Sequence, residues 1–272
     1  MSAIVIAARP EAEAISSGVG PGQALRNVLT IAWRSLVAIK HSPMELVDLS
    51  VQPLMFVVLF AYVFGGAVAG SPQAYLEFGL AGIIVQNAMF LTLNTAMGLN
   101  NDLSKGVFDR FRSLPIARSA PLAGRIAADV VRQLWGISIL LGVGMLLGFR
   151  IHTGVPEVLL AVGLVLVFVL AFSWLPVLVG VLVNSPEKVQ VFGFVLIFPL
   201  TFASGAFVQV DTMPGWVQAW VKANPVTLMS DALRGLLVGG GYGRPALQAL
   251  AWAAAIAAVF APLAARALRR RA

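Results

Sequence analysis

Val158-Leu159-Leu160-Ala161-Val162-Gly163-Leu164-Val165-Leu166-Val167-Phe168-Val169-Leu170-Ala171-Phe172-Ser173-Trp174-Leu175-Pro176-Val177-Leu178-Val179-Gly180-Val181-Leu182-Val183-Asn184-Ser185-Pro186 is a run of 29 residues without one charged side chain. A helix needs about 20 apolar residues to cross the hydrocarbon core of a bilayer, so this run reads as a membrane span. Five more uncharged runs accompany it, at 49–76, 78–101, 133–149, 189–210 and 245–265. All but 133–149 are long enough alone. That one reaches the needed length if its helix begins near Pro121 and carries Arg125, Asp129 and Arg132 at the membrane entrance. The sequence therefore predicts an all-α integral membrane protein with a transmembrane domain over 46–265. Its six transmembrane helices are expected at about 49–70, 76–100, 121–149, 157–183, 187–208 and 245–265.

The composition agrees. Of the 272 residues, 59% are hydrophobic and only 11% charged, and the mean hydropathy is +0.88. A soluble domain carries about 25% charged residues, and a chain this apolar lacks the polar surface to cover a core. Cytosolic enzymes and nucleic-acid-binding modules are thereby set aside, although the net charge is +7. In a membrane protein that excess reads as orientation charge. There are no cysteines, which excludes disulfides and thiolate metal sites. His41 and His152 are too few and too far apart to promise a metal centre.

Six spans put both termini on one side, and the basic residues say which. With the N-terminus cytoplasmic, 15 of the 19 lysines and arginines fall inside, and only Arg150, Lys222, Arg234 and Arg244 fall outside. Both ends are therefore expected in the cytoplasm. The short apolar stretch 3–8 has no preceding positive charge and does not read as a signal peptide. Residues 1–22 are expected as a flexible cytoplasmic tail and 266–272 as a basic cytoplasmic tail. Over 23–42, Leu25, Val28, Leu29, Ala32, Leu36 and Ile39 share one face, with Arg26, Thr30 and Arg34 opposite. An N-terminal amphipathic helix lying in the headgroup layer fits that pattern. The first turns of the first span, broken at Pro43, fit it too.

The segment between the second and third spans, Lys105-Gly106-Val107-Phe108-Asp109-Arg110-Phe111-Arg112-Ser113-Leu114-Pro115, carries the strongest local signal. Gly106 interrupts the preceding helix and Pro115 disfavours helix at Leu114. One short helix over 107–114 fits between them. Val107, Phe108, Phe111 and Leu114 form its apolar side, and Asp109, Arg110, Arg112 and Ser113 its polar side. A docking element for a partner protein has this mixed character. A positive-inside anchor with aromatics at the lipid boundary has it as well.

This segment resembles the hallmark of type-2 ABC exporter permeases, in particular their daunorubicin/doxorubicin-resistance branch. The resemblance extends over most of the chain. It includes Trp33-Arg34, Ile39-Lys40-His41, Phe64-Gly65-Gly66-Ala67, Gly148-Phe149-Arg150, Phe198-Pro199, Asn224-Pro225-Val226-Thr227 and Leu233-Arg234-Gly235-Leu236. It implies a six-span subunit with an interfacial connector helix at 23–42 and a coupling helix at 107–114. The latter makes Val107, Phe108, Asp109, Arg110, Phe111, Arg112, Ser113 and Leu114 the interface to a partner ABC ATPase. The resemblance also implies a dimer, with itself or a paralogue, in a bacterial inner membrane. No G-x-x-x-x-G-K-[ST] phosphate loop occurs in the chain, so no cofactor is expected on it. ATP and magnesium belong to the partner ATPase, and this chain is expected to be a transport subunit rather than an enzyme.

Within the second span, Gln86, Asn87, Phe90, Asn94, Met97 and Asn101 share an arc of about 100°. Polar groups in a span avoid lipid. The first five are candidates for a path lining, and interhelical hydrogen bonding is the competing use. After the fifth span, Pro214 can start a helix and Asn224-Pro225 can end it, with Trp216 and Trp220 on one face as an interfacial anchor. Residues 226–239 contain Asp231 and Arg234 and read poorly as a seventh span. By resemblance, 213–239 holds short re-entrant-like outer helices. The expected function is ATP-driven efflux of a hydrophobic or amphiphilic small molecule, drug-like by resemblance, with a lipid or glycan precursor as the alternative cargo. An ion-coupled secondary transporter is the competing class.

Overall fold

The computed structural model describes residues 43–106 and 120–271, apart from the side chains at 43–46, 48–49, 120–125, 269 and 271. The tail at 1–22, the amphipathic segment at 23–42 and the docking segment at 107–114 lie outside the described residues. Among those described, every regular element is helical. α1 (Pro43–Val58) passes through a π-helical stretch, Leu59–Phe64, into the short α2 (Gly65–Ala69). Ser71 then opens α3 (Pro72–Ser104), its hydroxyl accepting from the Ala74 N–H at 3.2 Å. With proline next, this is a strong helix start.

α4 (Ala120–Leu146) follows, then α5 (Val155–Phe172) and α6 (Trp174–Leu182). The last two form one apolar rod interrupted at Ser173. Pro176 has no N–H to give the carbonyl of Phe172, so the helical ladder breaks there. α7 (Pro186–Phe202) leads through a 3-10 turn, Val210–Thr212, to α8 (Gly215–Ala223), α9 (Pro225–Val238) and α10 (Gly243–Arg271).

Among the described residues, five stretches are long and apolar enough to cross a bilayer: Ser50–Ala69, Pro72–Ser104, Ile126–Leu146, Val155–Leu182 and Gly243–Leu268. The remaining expected span, 187–208, differs. Its helix α7 has 17 residues. That is about 26 Å at the helical rise, a little short of a core of about 30 Å. The chain leaves the helix at Ala203 because groups from the following segment take its last carbonyls, as described below.

α3 stands at the centre, packed against α1, α4, α5, α6, α7 and α9, while α10 lies on α5, α6 and α9. Tyr75, Leu76, Leu80, Ile83, Ile84 and Met89 of α3 are fully enclosed, with Phe168 and Phe172 of α5 and Met229 of α9. α1, the π-helical stretch and α7 instead expose Met55, Val63, Phe192 and Val195. Three glycines stand just beyond helix ends. Gly70, Gly148 and Gly239 all adopt positive φ.

Other glycines allow close approaches, Gly82 the closest. A Cβ on Gly82 would stand 2.1 Å from the Ala206 carbonyl oxygen, so the chain after α7 lies directly on the α3 backbone. Gly82→Val is expected to destabilise the bundle by about 3 kcal/mol, the upper end of overpacking costs. Gly163→Ala, which meets nothing within 4 Å, is expected to leave the thermal midpoint in detergent unchanged. Thermal melting of the two variants side by side checks both.

Candidate functional site

The five candidate path residues span a gradient of burial along one flank of α3. Gln86 is buried, Asn87, Phe90 and Met97 are half-buried, and Asn94 is exposed. Asn87 Oδ1 rests 3.2 Å from where a Cβ on Gly136 would sit, so a missing side chain on α4 makes room for it. Asn101, on the same arc, is exposed, whereas its neighbour Asn100 is fully buried.

Phe90 begins a chain of rings. It meets Phe194 of α7 at 5.7 Å between centroids, and Phe194, Phe198 and Phe202 follow each other at 5.0 and 4.4 Å. Phe202 passes to Phe207 at 5.2 Å, and Phe207 stacks on Phe60 at 4.7 Å. The π-helical stretch in the first span places Phe60 there and sets it 5.9 Å from Phe56. The sequence signal for this track was the spacing of Phe194, Phe198 and Phe202 at i, i+4 and i+8, which sequence reasoning missed. Phe194 and Phe198 keep 45% and 41% of their surface open, so the track borders the outside of the subunit.

Two buried asparagines close helix ends. Asn100 Nδ2 donates to the carbonyls of Gly180 and Val183, both at 2.8 Å, and satisfies the C-terminus of α6. Gln133 of α4 donates from Nε2 to the Ala88 carbonyl on α3 at 2.9 Å. Asn224 serves two helices. Its Oδ1 accepts from the Val226 N–H at 2.8 Å as the N-cap of α9, and its Nδ2 donates to Leu200 and Ala203 at 2.9 and 3.0 Å. Trp220 also donates to Ala203, at 3.2 Å, and these donors end α7. Trp216 and Trp220 are both exposed on α8.

The charged pairs have defined places. Arg132 bonds Asp129 at 3.0 Å on α4, whereas the Arg125 side chain lies outside the described residues. Arg234 on α9 pairs with Asp231, donates from Nε to the Phe78 carbonyl at 2.9 Å and lies 4.1 Å above the Phe78 ring. This arginine ties α9 to α3 through a salt bridge, a backbone acceptor and a cation–π contact.

Long apolar helices, joined by buried side chains that satisfy one another's backbone ends, define a multi-pass membrane protein. Sequence comparison refines that class. The profile of the ABC-2 type transporter family matches residues 26–238. The daunorubicin resistance ABC transporter permease protein DrrB1 of Streptomyces coeruleorubidus is 40% identical over 260 residues, covering 94% of this chain and 92% of that protein. The probable doxorubicin resistance ABC transporter permease protein DrrC of Mycobacterium tuberculosis is 29% identical over 222 residues, 79% of this chain and 78% of its own. The putative transport permease ycf38 of Cyanophora paradoxa is 24% identical over 214 residues, with coverage of 77% and 73%. The chain belongs to the ABC-2 type transporter family, which bears out the resemblance carried by the segment from Lys105 to Pro115.

A double-mutant cycle checks the Arg234 anchor. Arg234→Gln is expected to cost about 2 kcal/mol, because it removes the bond to the Phe78 carbonyl and the cation–π contact and leaves the half-exposed Asp231 without its cation. Adding Asp231→Asn is expected to recover part of that loss. Strictly additive losses in detergent melting curves would show that the pair does not act as a unit.

Proposed function

We propose that this chain is the membrane-spanning permease subunit of an ABC exporter that moves a hydrophobic or amphiphilic, drug-like compound outward. The observation that carries the reading is the 40% identity, over nearly the whole of both chains, to a daunorubicin resistance permease. The ring track from Phe90 to Phe60 supports an apolar, aromatic cargo, since stacked rings offer a planar compound equivalent contacts along their length. On this reading Gln86, Asn87, Phe90, Asn94 and Met97 line the path beside that track.

The subunit crosses a bacterial inner membrane six times, with α7 as the short crossing and both termini in the cytoplasm. α8 and α9 form the outer helices. Two permease copies, identical or paralogous, pair in the membrane and are served by separate ATPase subunits that bind ATP and magnesium. Closure of those ATPases pushes on the coupling helix at 107–114. The segment connects α3 to α4, so the push reaches the two helices joined by Gln133 and Ala88.

Co-expression with its ATPase tests the arrangement. Arg110→Glu combined with Arg112→Glu is expected to abolish ATPase co-purification while leaving membrane insertion intact. Co-purification at the level of the unmodified chain would overturn the docking role of 107–114.

A further inference from the structure

A groove of about 730 Å³ opens between α6 and the last turns of α10. Leu178, Leu182 and Leu263, with two smaller apolar side chains, give it an aliphatic lining, and Asn184, Arg266 and Arg270 are its polar groups. None of the five candidate path residues and no ring of the aromatic track takes part. Leu182 and Leu263 keep 64% and 42% of their surface open, so the subunit itself does not cover the aliphatic side.

The groove belongs to a longer stripe on α10. Trp252, Val259, Leu263, Arg266 and Arg270 fall within an arc of about 60° at about 100° per residue. All five are exposed. This face is apolar from Trp252 to Leu263 and turns basic at its last two positions. From Val259 to Arg270 the helix rises about 16 Å, close to half of a hydrocarbon core of about 30 Å. Arg266 and Arg270 stand one turn apart, and among the described residues neither has an ion-pair partner. Glu187, in the first turn of α7, pairs with neither.

A guanidinium offers phosphate oxygens two parallel N–H donors. A free anion or an acidic peptide would use the arginines and have no use for the leucines. A phosphodiester carrying hydrocarbon tails uses both. We infer that the groove is a binding site for an anionic phospholipid, its phosphate held by Arg266 and Arg270 and one acyl chain laid along Leu263 and Val259 beside Leu182. Such a lipid ties the turn after α6 to the end of α10. Its place in the inner leaflet rests on the exporter reading, in which the C-terminus is cytoplasmic.

Native mass spectrometry of the full-length permease, titrated with dioleoyl-phosphatidylglycerol, tests the assignment. One phosphatidylglycerol per subunit is expected to bind saturably, about thirtyfold more tightly than dioleoyl-phosphatidylcholine, which has the same tails. That factor is the combined effect of two basic groups at an anionic headgroup. Arg266→Gln with Arg270→Gln is expected to bring the two lipids level. Arg269→Gln with Arg271→Gln, which removes the same charge from the same turn, is expected to keep the preference. Equal binding of the two lipids by the unmodified chain would overturn the site. So would an equal loss with the Arg269 and Arg271 pair, which marks diffuse attraction, or displacement by millimolar glycerol phosphate, which marks a free-anion site. The membrane side is read separately through Ala272→Cys, because the chain has no other cysteine. In intact cells that cysteine is expected to escape a membrane-impermeant maleimide. Labelling there would overturn the topology of the exporter reading and move the groove to the other leaflet. Loss of the lipid preference with a shielded cysteine would overturn the groove alone.

Discussion

The hydrogen bonds at the two ends of α9 are the constraint on which the bundle depends. A helix of 14 residues is about 21 Å long and cannot carry both ends to water on opposite sides of a bilayer. Its terminal N–H and C=O groups must therefore be met inside the protein. At the start, Asn224 caps it and reaches back to Leu200 and Ala203, while Thr227 accepts from the Gly205 N–H at 2.9 Å. At the far end, the loop between α4 and α5 arrives: Thr153 donates to Leu236 at 2.6 Å, and the His152 N–H donates to Leu237 at 3.0 Å. Each bond closes one helix end and also fixes where a neighbouring segment stops. The length of α7, the turn at Ala203 and the path of the chain over Gly82 all follow from them.

Around this centre the bundle is unevenly committed. α3 and α9 are enclosed, held together by Arg234 on Phe78, whereas α1 and α7 turn large apolar side chains outward. In a bilayer such faces meet lipid or another apolar surface, and the proposed second permease copy is one. The ring track lies at the border of the enclosed part.

Much of the fold was legible in the sequence, because long uncharged runs have one physical solution in lipid. The rod from Val155 to Leu182 and the central α3 follow from that rule. The internal arrangement of α3 was less legible. Angular periodicity selects a polar arc only when a helix has a dry side and a wet side, and α3 has neighbours on most sides. The arc therefore included the exposed Asn101 and passed over Asn100, whose burial is set by the carbonyls of Gly180 and Val183, distant in sequence. Gln133 was missed for the same reason. It stood at the edge of an uncharged run, and only the Ala88 carbonyl gives it meaning. Asp231 and Arg234 stand three residues apart in the sequence, but nothing local announces Phe78 as the arginine's further partner.

Transport by proteoliposomes tests the central claim most directly. The permease would be reconstituted with its co-expressed ATPase, and the movement of a fluorescent amphiphilic aromatic amine followed across the membrane. The expected result is transport that needs ATP and the ATPase subunit and stops with orthovanadate. Transport by the permease alone, driven by a proton gradient and indifferent to orthovanadate, would contradict the account.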